Sequence, residues 1–495
     1  MGKKLFKTLA ALTLVAAMLV GCGAPAADPT KTPGGNGTPT NSASDPAKNQ
    51  DQPGNDQPAK TVDLSLGIWP EDTLTADIEI YKGYVATMKN LHPEVNCIPA
   101  YYKYATDTFM PMVEAKTVPT IFETWFTEPK KLIANGAVAD ITDVLKSRGW
   151  LDNMNPSIRE LLSDDNGRIY GVPRDGYALG LMLNVELFEE AGLVDKDGYP
   201  LYPTSMQDLA EKAKIIKEKT GAAGLCLLAK NEAGGWHFSN IAWNFGATEL
   251  CKDNLDGTFT SNLATPEAIK AMEFVKSLKW DYDVLTADPT NEDWGTGFMQ
   301  LGTGAAAMYI GANDAVAQPT QVNGLPVDKL AMCGIPAAEG CRPYSLFGGT
   351  PYMFSKESTP EQIAAALDFL EVIGKAPLAT DDAIAGMKAD AQSRVNNGVP
   401  VIASFPCWTA KDFLDAQDAI VKEYSNVDAK MFNAYFDATK NNGLHPEEPG
   451  LTQDMYAELT KVLQEVLTNK NADVAALMRQ ANENYQKILD NGFKK

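Results

Sequence analysis

The most informative stretch of the sequence is Asn166-Gly167-Arg168-Ile169-Tyr170-Gly171-Val172-Pro173, in which a polar turn leads into an apolar strand. Asn-Gly is a standard turn pair, and the β-branched and aromatic residues that follow favour an extended backbone. Beyond Arg174 to Tyr177, the apolar run Leu181-Met182-Leu183-Asn184 continues the strand pattern. A helix is then predicted from Val185 to Ala191, and Gly192 closes it because glycine adopts the left-handed conformation at helix ends. The stretch therefore predicts a strand that passes directly into a helix.

The chain on either side of this stretch alternates predicted strands and helices. Upstream, the pattern predicts a strand at 62–69, a helix at 77–91, an extended segment at 97–101, a buried strand at 119–122 and a helix at 129–135. Downstream, Thr265-Pro266 opens a further helix and Met308-Tyr309-Ile310 is typical of a buried strand. Alternation of this kind indicates an α/β fold.

Several short motifs follow one another along the chain. They are the turn at 166–173, the strand-to-helix segment at 183–193, the segment at 203–209, the approach to a strand at 298–308, and the short segments at 335–337 and 348–349. In this order they resemble the extracellular solute-binding proteins of bacterial carbohydrate ABC transporters, the group that includes the maltose-binding protein. Met206 stands where that family usually has tryptophan, which alters a packing position. The resemblance extends over nearly all of residues 62–495.

The resemblance implies a periplasmic-binding-protein-like fold, in which two α/β lobes are joined by crossing strands and hold a ligand in the cleft between them. We place the crossings near Gly176 to Leu179, Tyr344 to Pro351 and Val401 to Trp408. The first lobe is then 62–177 plus 343–403, and the second is 178–342 plus 404–495. Ligand binding is expected to close the lobes about a hinge formed by these crossings.

The tryptophans give a reason to expect a sugar ligand that is independent of the resemblance, because apolar faces of sugar rings stack on aromatic side chains. In open α/β sheets, ligands bind at the carboxyl ends of the strands, where several of these residues fall. Packing in the core is the competing interpretation for each of them, and it is preferred for Trp150 and Trp280. The aromatic candidates for ligand binding are Trp69, Trp125, Trp236, Trp243 and Trp294.

Polar partners for sugar hydroxyls are expected around the first crossing. The candidates there are Arg174, Asp175 and Tyr177, and they are joined by Glu123, Asn313 and Asp314. Each carboxylate has an alternative role as a helix cap or a turn former, and the sequence leaves both roles open.

The N-terminus resembles a bacterial lipoprotein signal peptide. Lysines at 3, 4 and 7 precede an apolar run from Leu9 to Val20, which is too short to span a bilayer, and a small residue precedes Cys22. The resemblance implies cleavage after residue 21 and lipidation of Cys22. An ordinary secretory signal is the alternative. Residues 22–60 lack the apolar side chains needed for a core, so we expect a disordered tether.

Charge and composition exclude several classes of function. The chain has 43 basic and 64 acidic residues and a formal net charge of −21, which argues against a nucleic-acid partner. Besides Cys22 there are six cysteines, expected to be mostly unpaired buried thiols, with Cys333 and Cys341 the pair most open to a disulfide. With three histidines far apart in sequence and no Cys-x-x-Cys, neither a metal site nor a cofactor is predicted.

Together these observations predict a lipid-anchored receptor at the outer face of the bacterial cytoplasmic membrane. It captures a sugar or oligosaccharide and delivers it, as a monomer without catalytic residues, to the permease subunits of an ABC importer. Two alternatives remain open at this point. One is a surface-attached glycosidase or lyase, because aromatic clefts with paired carboxylates also serve hydrolysis. The other is a receptor for a small solute that is not a sugar.

Overall fold

The computed structural model describes residues 61–72, 75–441 and 443–493. The predicted signal peptide, the lipidation site Cys22 and the tether at 22–60 lie outside the described residues. In the part of the chain that is described, no helix combines the length and apolarity that crossing a bilayer requires.

Ten strands and sixteen α-helices make up the described chain. The strands are β1 (Val62–Leu66), β2 (Val95–Pro99), β3 (Ile121–Glu123), β4 (Gly171–Asn184), β5 (Cys251–Asp253), β6 (Phe259–Ser261), β7 (Met308–Ala312), β8 (Leu330–Cys333), β9 (Tyr344–Phe354) and β10 (Gly443–Pro446). The helices are α1 (Thr75–Leu91), α2 (Phe109–Ala115), α3 (Pro129–Ala134), α4 (Thr142–Ser147), α5 (Pro156–Leu161), α6 (Val185–Ala191), α7 (Met206–Thr220), α8 (Asn231–Asn244), α9 (Pro266–Trp280), α10 (Trp294–Gly302), α11 (Pro360–Val372), α12 (Asp381–Asn396), α13 (Lys411–Tyr424), α14 (Lys430–Asn441), α15 (Thr452–Thr468) and α16 (Val474–Gly492).

The predicted strand-to-helix passage is confirmed in β4 and α6. The Asn184 side chain accepts a hydrogen bond from the backbone N–H of Leu187 and caps α6. At the other end, Gly192 takes the left-handed conformation with φ of 72°. Local sequence therefore determines both ends of this helix.

Two long strands run through the centre of the molecule. The main sheet has the order β2-β1-β3-β9-β4-β7, with β8 added to β4 and β10 added to β9. Residues 171–178 of β4 pair antiparallel with β9, whereas residues 179–184 pair with β7 and β8. A single strand thus serves both lobes of this α/β fold, which makes β4 and β9 the crossing strands.

Close packing at the crossing requires glycine. A Cβ atom on Gly348 would lie 2.6 Å from the ring of Tyr177, and one on Gly349 would lie 2.5 Å from the carbonyl oxygen of Asp175. Any larger residue would push the two strands apart. The crossing is therefore specified by the Gly348-Gly349 pair that the sequence motif contains.

Two main hydrophobic cores lie on either side of the crossing. The first contains Phe122 and Trp150, and the second contains Phe188 and Tyr456. Trp408 and Phe413 pack in the first core, beyond the predicted boundary at residue 404. The segment predicted as a third crossing, residues 401–408, forms no regular strand, and it is β10 that pairs with β9. The division into lobes given above stays a prediction.

The six cysteines of the described chain are all free thiols. The expectation of mostly unpaired thiols is confirmed, but Cys333 and Cys341 form no disulfide. Cys333 is buried at the end of β8, whereas Cys341 is partly exposed in the loop that follows.

Candidate functional site

Two cavities flank the crossing strands. The smaller one, of about 650 Å³, lies at the ends of β1, β2 and β3; we call it the aromatic cavity after Trp69, Tyr101, Tyr104 and Trp125 in its wall. The larger one, of about 1140 Å³, lies under α12, α13 and residues 401–408; we call it the helical cavity. Both walls contain Tyr84, Arg174, Ile373 and Lys375. The two cavities are therefore neighbours that share one boundary.

The aromatic cavity gathers side chains from the carboxyl ends of two parallel strands. Trp69 follows β1 and packs edge-on against Tyr81, with ring centroids 5.7 Å apart. Trp125 follows β3, packs edge-on against Tyr104 at 5.4 Å and leaves 39% of its surface exposed. The structure places both predicted tryptophans where a ligand can reach their rings.

An ion-pair network forms the floor between the cavities. The Arg174 guanidinium donates to Glu123 Oε2 at 2.8 Å through Nη1 and to Asp175 Oδ2 at 2.7 Å through Nε. The backbone N–H of Thr350 on β9 donates to the other oxygen of Asp175 at 3.2 Å. Burial raises the pKa of Glu123, although the positive charge of Arg174 opposes this effect. Three predicted residues are thus held together as one rigid charged unit.

Two charged groups at the helical cavity lack such partners. The Asp314 carboxylate is open to the cavity, and no other described residue donates a hydrogen bond to it. Desolvation by the surrounding walls, together with the negative charge of Asp175, raises the pKa of Asp314 to about 7. Among the described residues, the Lys375 ammonium has no hydrogen-bond or ion-pair partner, and burial lowers its pKa. Each group can therefore form hydrogen bonds with a ligand.

Other predicted residues lie on the second lobe or at the crossing itself. Trp236 and Trp294 form an edge-to-face pair with centroids 5.2 Å apart, and both are partly exposed. The Tyr177 ring packs against Gly348, and burial raises the pKa of its phenol well above the usual value. Neither cavity described above is lined by these three side chains.

A region between the lobes was missed by the sequence reasoning. Gln453 on α15 donates to Thr127 Oγ1 across the lobes at 3.3 Å. Burial, together with the negative charge of Glu128, raises the pKa of Glu447 to about 7. Tyr104 donates to Glu128 at 2.6 Å, so this region adjoins the aromatic cavity. No local motif marks these residues; only the placement of α15 beside the first lobe brings them together.

Two predicted site residues have structural roles instead. Trp243 is fully buried, its indole N–H donates to Glu448 Oε1 at 2.7 Å, and its ring stacks on His445 at 4.0 Å. It cannot contact a ligand, so that prediction is corrected. Asn313 is 5% exposed, accepts from the backbone N–H of Ala178 and donates to the carbonyl of Ala403. It borders the helical cavity, but its amide is used to position the crossing strand.

Comparison with protein families gives one match that covers most of the folded chain. Residues 74–377 match the model of the family described as bacterial extracellular solute-binding protein. A curated binding protein of Brucella abortus (strain 2308) is 28% identical over 139 residues, which are 28% of this chain. The match spans 30% of the length of that relative.

Comparison with solved structures supports the same fold. A solute-binding protein of an ABC transporter from Thermotoga lettingae, bound with α-D-tagatose, covers 87% of this chain and 100% of its own, with a TM-score of 0.64 at 16% identity. A maltose-bound T. maritima protein gives 0.63 at 20% identity, over 87% of this chain and 100% of its own. UgpB of Mycobacterium tuberculosis, in complex with glycerophosphocholine, gives 0.64 at 15% identity, over 87% and 99%. At these identities the likeness establishes the two-lobed fold.

Proposed function

Because the chain belongs to the family of bacterial extracellular solute-binding proteins, we propose that it captures a sugar or oligosaccharide between its lobes and delivers it to an ABC importer. The observation that carries the sugar assignment is the composition of the aromatic cavity. Accessible rings of Trp69 and Trp125 stand beside the charged unit of Glu123 and Arg174. Sugars combine apolar ring faces with hydroxyl groups, and this wall offers a partner for each.

The dimensions of the aromatic cavity suit a small solute. Its volume of about 650 Å³ lies within the range of roughly 300–1,000 Å³ usual for small-molecule sites. Trp69 and Trp125 supply the stacking surfaces, and Glu123 and Arg174 supply acceptors and donors held at fixed positions. Preorganised partners reduce the entropy lost on binding. The ligands of the tagatose-bound and maltose-bound relatives support a sugar for this chain as well.

The second lobe completes the site when the lobes close. We assign Tyr177 to the hinge of the cleft, and Trp236 and Trp294 to the wall facing the aromatic cavity. The contact between Gln453 and Thr127 supports this assignment because it joins the two lobes next to the cleft. Closure about β4 and β9 is then the signal that the importer reads.

Export and anchoring follow from the N-terminal sequence. We propose that Cys22 is lipidated after removal of residues 1–21, and that residues 22–60 tether the folded body to the outer face of the cytoplasmic membrane. Acyl chains contribute roughly 0.8 kcal/mol per buried CH₂, which is enough for two chains to hold a protein at a bilayer. The protein works as a monomer with separate permease subunits, and it leaves its ligand chemically unchanged.

The test is thermal unfolding of the chain from residue 22 onward, with Cys22→Ser to prevent lipidation, against sugars, amino acids and polyamines. Ligand at about 100 times its dissociation constant adds roughly 2.7 kcal/mol to the free energy of unfolding. We expect a rise in melting temperature with one group of sugars, which are recovered intact. Trp125→Ala should abolish the rise, and Tyr199→Ala on the second lobe should preserve it. A rise with amino acids or polyamines alone, or cleavage of the sugar, would contradict the proposal.

A further inference from the structure

The helical cavity is too large and too varied in its walls to be a packing defect. It encloses about 1140 Å³, more than the aromatic cavity, and it is bordered by α12, α13 and the segment at 401–408. These three elements all lie beyond residue 377, where the match to the family model ends. The cavity is therefore bordered on one side by elements outside the matched region.

The boundary between the two cavities is polar. Arg174 and Lys375 line both of them. Arg174 is held in place by Glu123 and Asp175, whereas the Lys375 ammonium has no partner among the described residues. The half-buried Lys375 ammonium is free to donate hydrogen bonds, and a ligand with hydroxyl groups at this boundary would accept them.

The far wall of the helical cavity also suits a sugar. Phe405 lines it with aromatic surface, and Asp314 presents a carboxylate with no donor from another described residue. Phe405 is partly exposed, and one face of its ring stacks on Phe347 at 4.5 Å. The aromatic cavity likewise combines aromatic surface with a carboxylate in one wall.

We infer that the helical cavity is a second binding compartment, which takes the further units of an oligosaccharide whose first units occupy the aromatic cavity. The inference rests on the proposed function and adds the size of the ligand. Lys375 and Arg174 contact the sugar at the boundary, and Asp314 binds hydroxyl groups of the units beyond it. The preferred ligand is accordingly a longer oligosaccharide and not a monosaccharide or disaccharide.

The glycines of two helices give a direct test. A Cβ atom on Gly386 of α12, in the wall of the helical cavity, would meet no atom within 4 Å, so a side chain can start there unobstructed and Gly386→Trp adds an indole at this wall. Gly386→Ala is the control for backbone effects. Gly83 of α1 is exposed, lines neither cavity and is equally unobstructed, so Gly83→Trp is the matched control for the added side chain.

Calorimetric titration of the Cys22→Ser chain with malto-, cello- and chito-oligosaccharides, from disaccharide to heptasaccharide, measures the effect of length. For the series that binds, we expect affinity to rise until both compartments are filled. Gly386→Trp should weaken the longest ligand by about tenfold or more and leave the disaccharide unchanged. Gly83→Trp should match the parent protein for both ligands, and Gly386→Ala should weaken the longest ligand far less than Gly386→Trp does.

Three results would separate the possible failures. If affinity does not rise beyond the disaccharide, the second compartment is refuted and the proposed function stands. The same conclusion follows if Gly386→Trp leaves the longest ligand unaffected, or weakens long and short ligands equally. If no sugar of any length binds to the parent protein while a non-sugar solute does, the proposed function itself fails.

Discussion

Asp314 shows how a single carboxyl group at the cavity links pH to stability. Its pKa of about 7 in the folded protein exceeds the usual value of about 4, so the folded state holds its proton more tightly than the unfolded state does. The contribution to stability is fully present below about pH 4 and is lost as the pH rises through about 7. Because the carboxylate is open to the cavity, we expect solvent to limit the effect to about 1 kcal/mol.

Asp314→Asn should therefore be more stable than the parent protein at about pH 8 and equally stable near pH 4, as measured by urea unfolding at each pH. Asp382→Asn is the control, since that carboxylate lies in the wall of the same cavity. Equal stability of Asp314→Asn and the parent protein at pH 8 would contradict the prediction.

Glu448 holds the Trp243 side chain in place in the core. Its carboxylate accepts from the Trp243 indole at 2.7 Å and from the backbone N–H of Cys251 at 3.0 Å. Glu448→Ala leaves two buried donors unsatisfied, at roughly 1–3 kcal/mol each, so we expect about 3 kcal/mol of destabilisation in chemical unfolding. Glu483→Ala, an exposed change on α16, should cost almost nothing. If Glu448→Ala loses sugar affinity at a temperature where it stays folded, the structural role assigned to Trp243 is contradicted.

For single residues, the sequence predicts which type of side chain binds the ligand better than it predicts which residues of that type lie in the site. Trp236 and Trp243 are seven residues apart and therefore lie on one face of α8. One is partly exposed beside Trp294, whereas the other lies under His445 on β10. Since β10 is about 200 residues away along the chain, no local pattern could have distinguished the two tryptophans.

At the scale of elements, the crossing strands leave no room for a side chain at Gly349, where β9 contacts β4. A Cβ atom on Gly349 would lie 2.5 Å from both the Asp175 carbonyl oxygen and the Phe126 ring. We expect Gly349→Ala to destabilise the protein by roughly 1–3 kcal/mol in urea unfolding, the usual cost of overpacking. Gly386→Ala on α12, where space is open, is the matched control and should be neutral or slightly stabilising. Equal stability of the two variants would mean that β4 and β9 can separate freely.

Elements with strong local signals were predicted closely. The helix from Val185 to Ala191 has the predicted bounds, and Met308 to Ile310 lies within β7. The segment around 401–408 was predicted as a crossing from the resemblance to the family. Instead it packs irregularly, with Trp408 against Trp150 at 6.0 Å and its indole N–H bonded to the Lys375 carbonyl. Contacts with residues far away in the sequence therefore determine the conformation of this segment.

At the scale of the whole molecule, acidic groups gather where the lobes meet. The chain carries a net charge of −21, and the carboxyl groups of Glu123, Asp314 and Glu447 all have raised pKa values. Desolvation is the first cause in each case, and a neighbouring carboxylate adds to it. Two of these groups, Asp314 and Glu447, change charge near pH 7. The distribution could not be predicted from composition, because it depends on which acidic residues the fold encloses.

Closure of the lobes should consequently depend on pH even without ligand. Bringing Glu447 of the second lobe towards Glu128 of the first costs least when Glu447 is protonated, which its pKa of about 7 permits at about pH 5.5. At about pH 8 the two carboxylates repel each other, and the open arrangement gains population. We expect X-ray scattering from the ligand-free Cys22→Ser chain to give a smaller radius of gyration at the lower pH. Glu447→Gln keeps an acceptor for the Tyr456 hydroxyl but removes the charge, so it should stay compact at both pH values. An unchanged radius in the parent protein, or an equal change in Glu447→Gln, would mean that this acidic contact does not control closure.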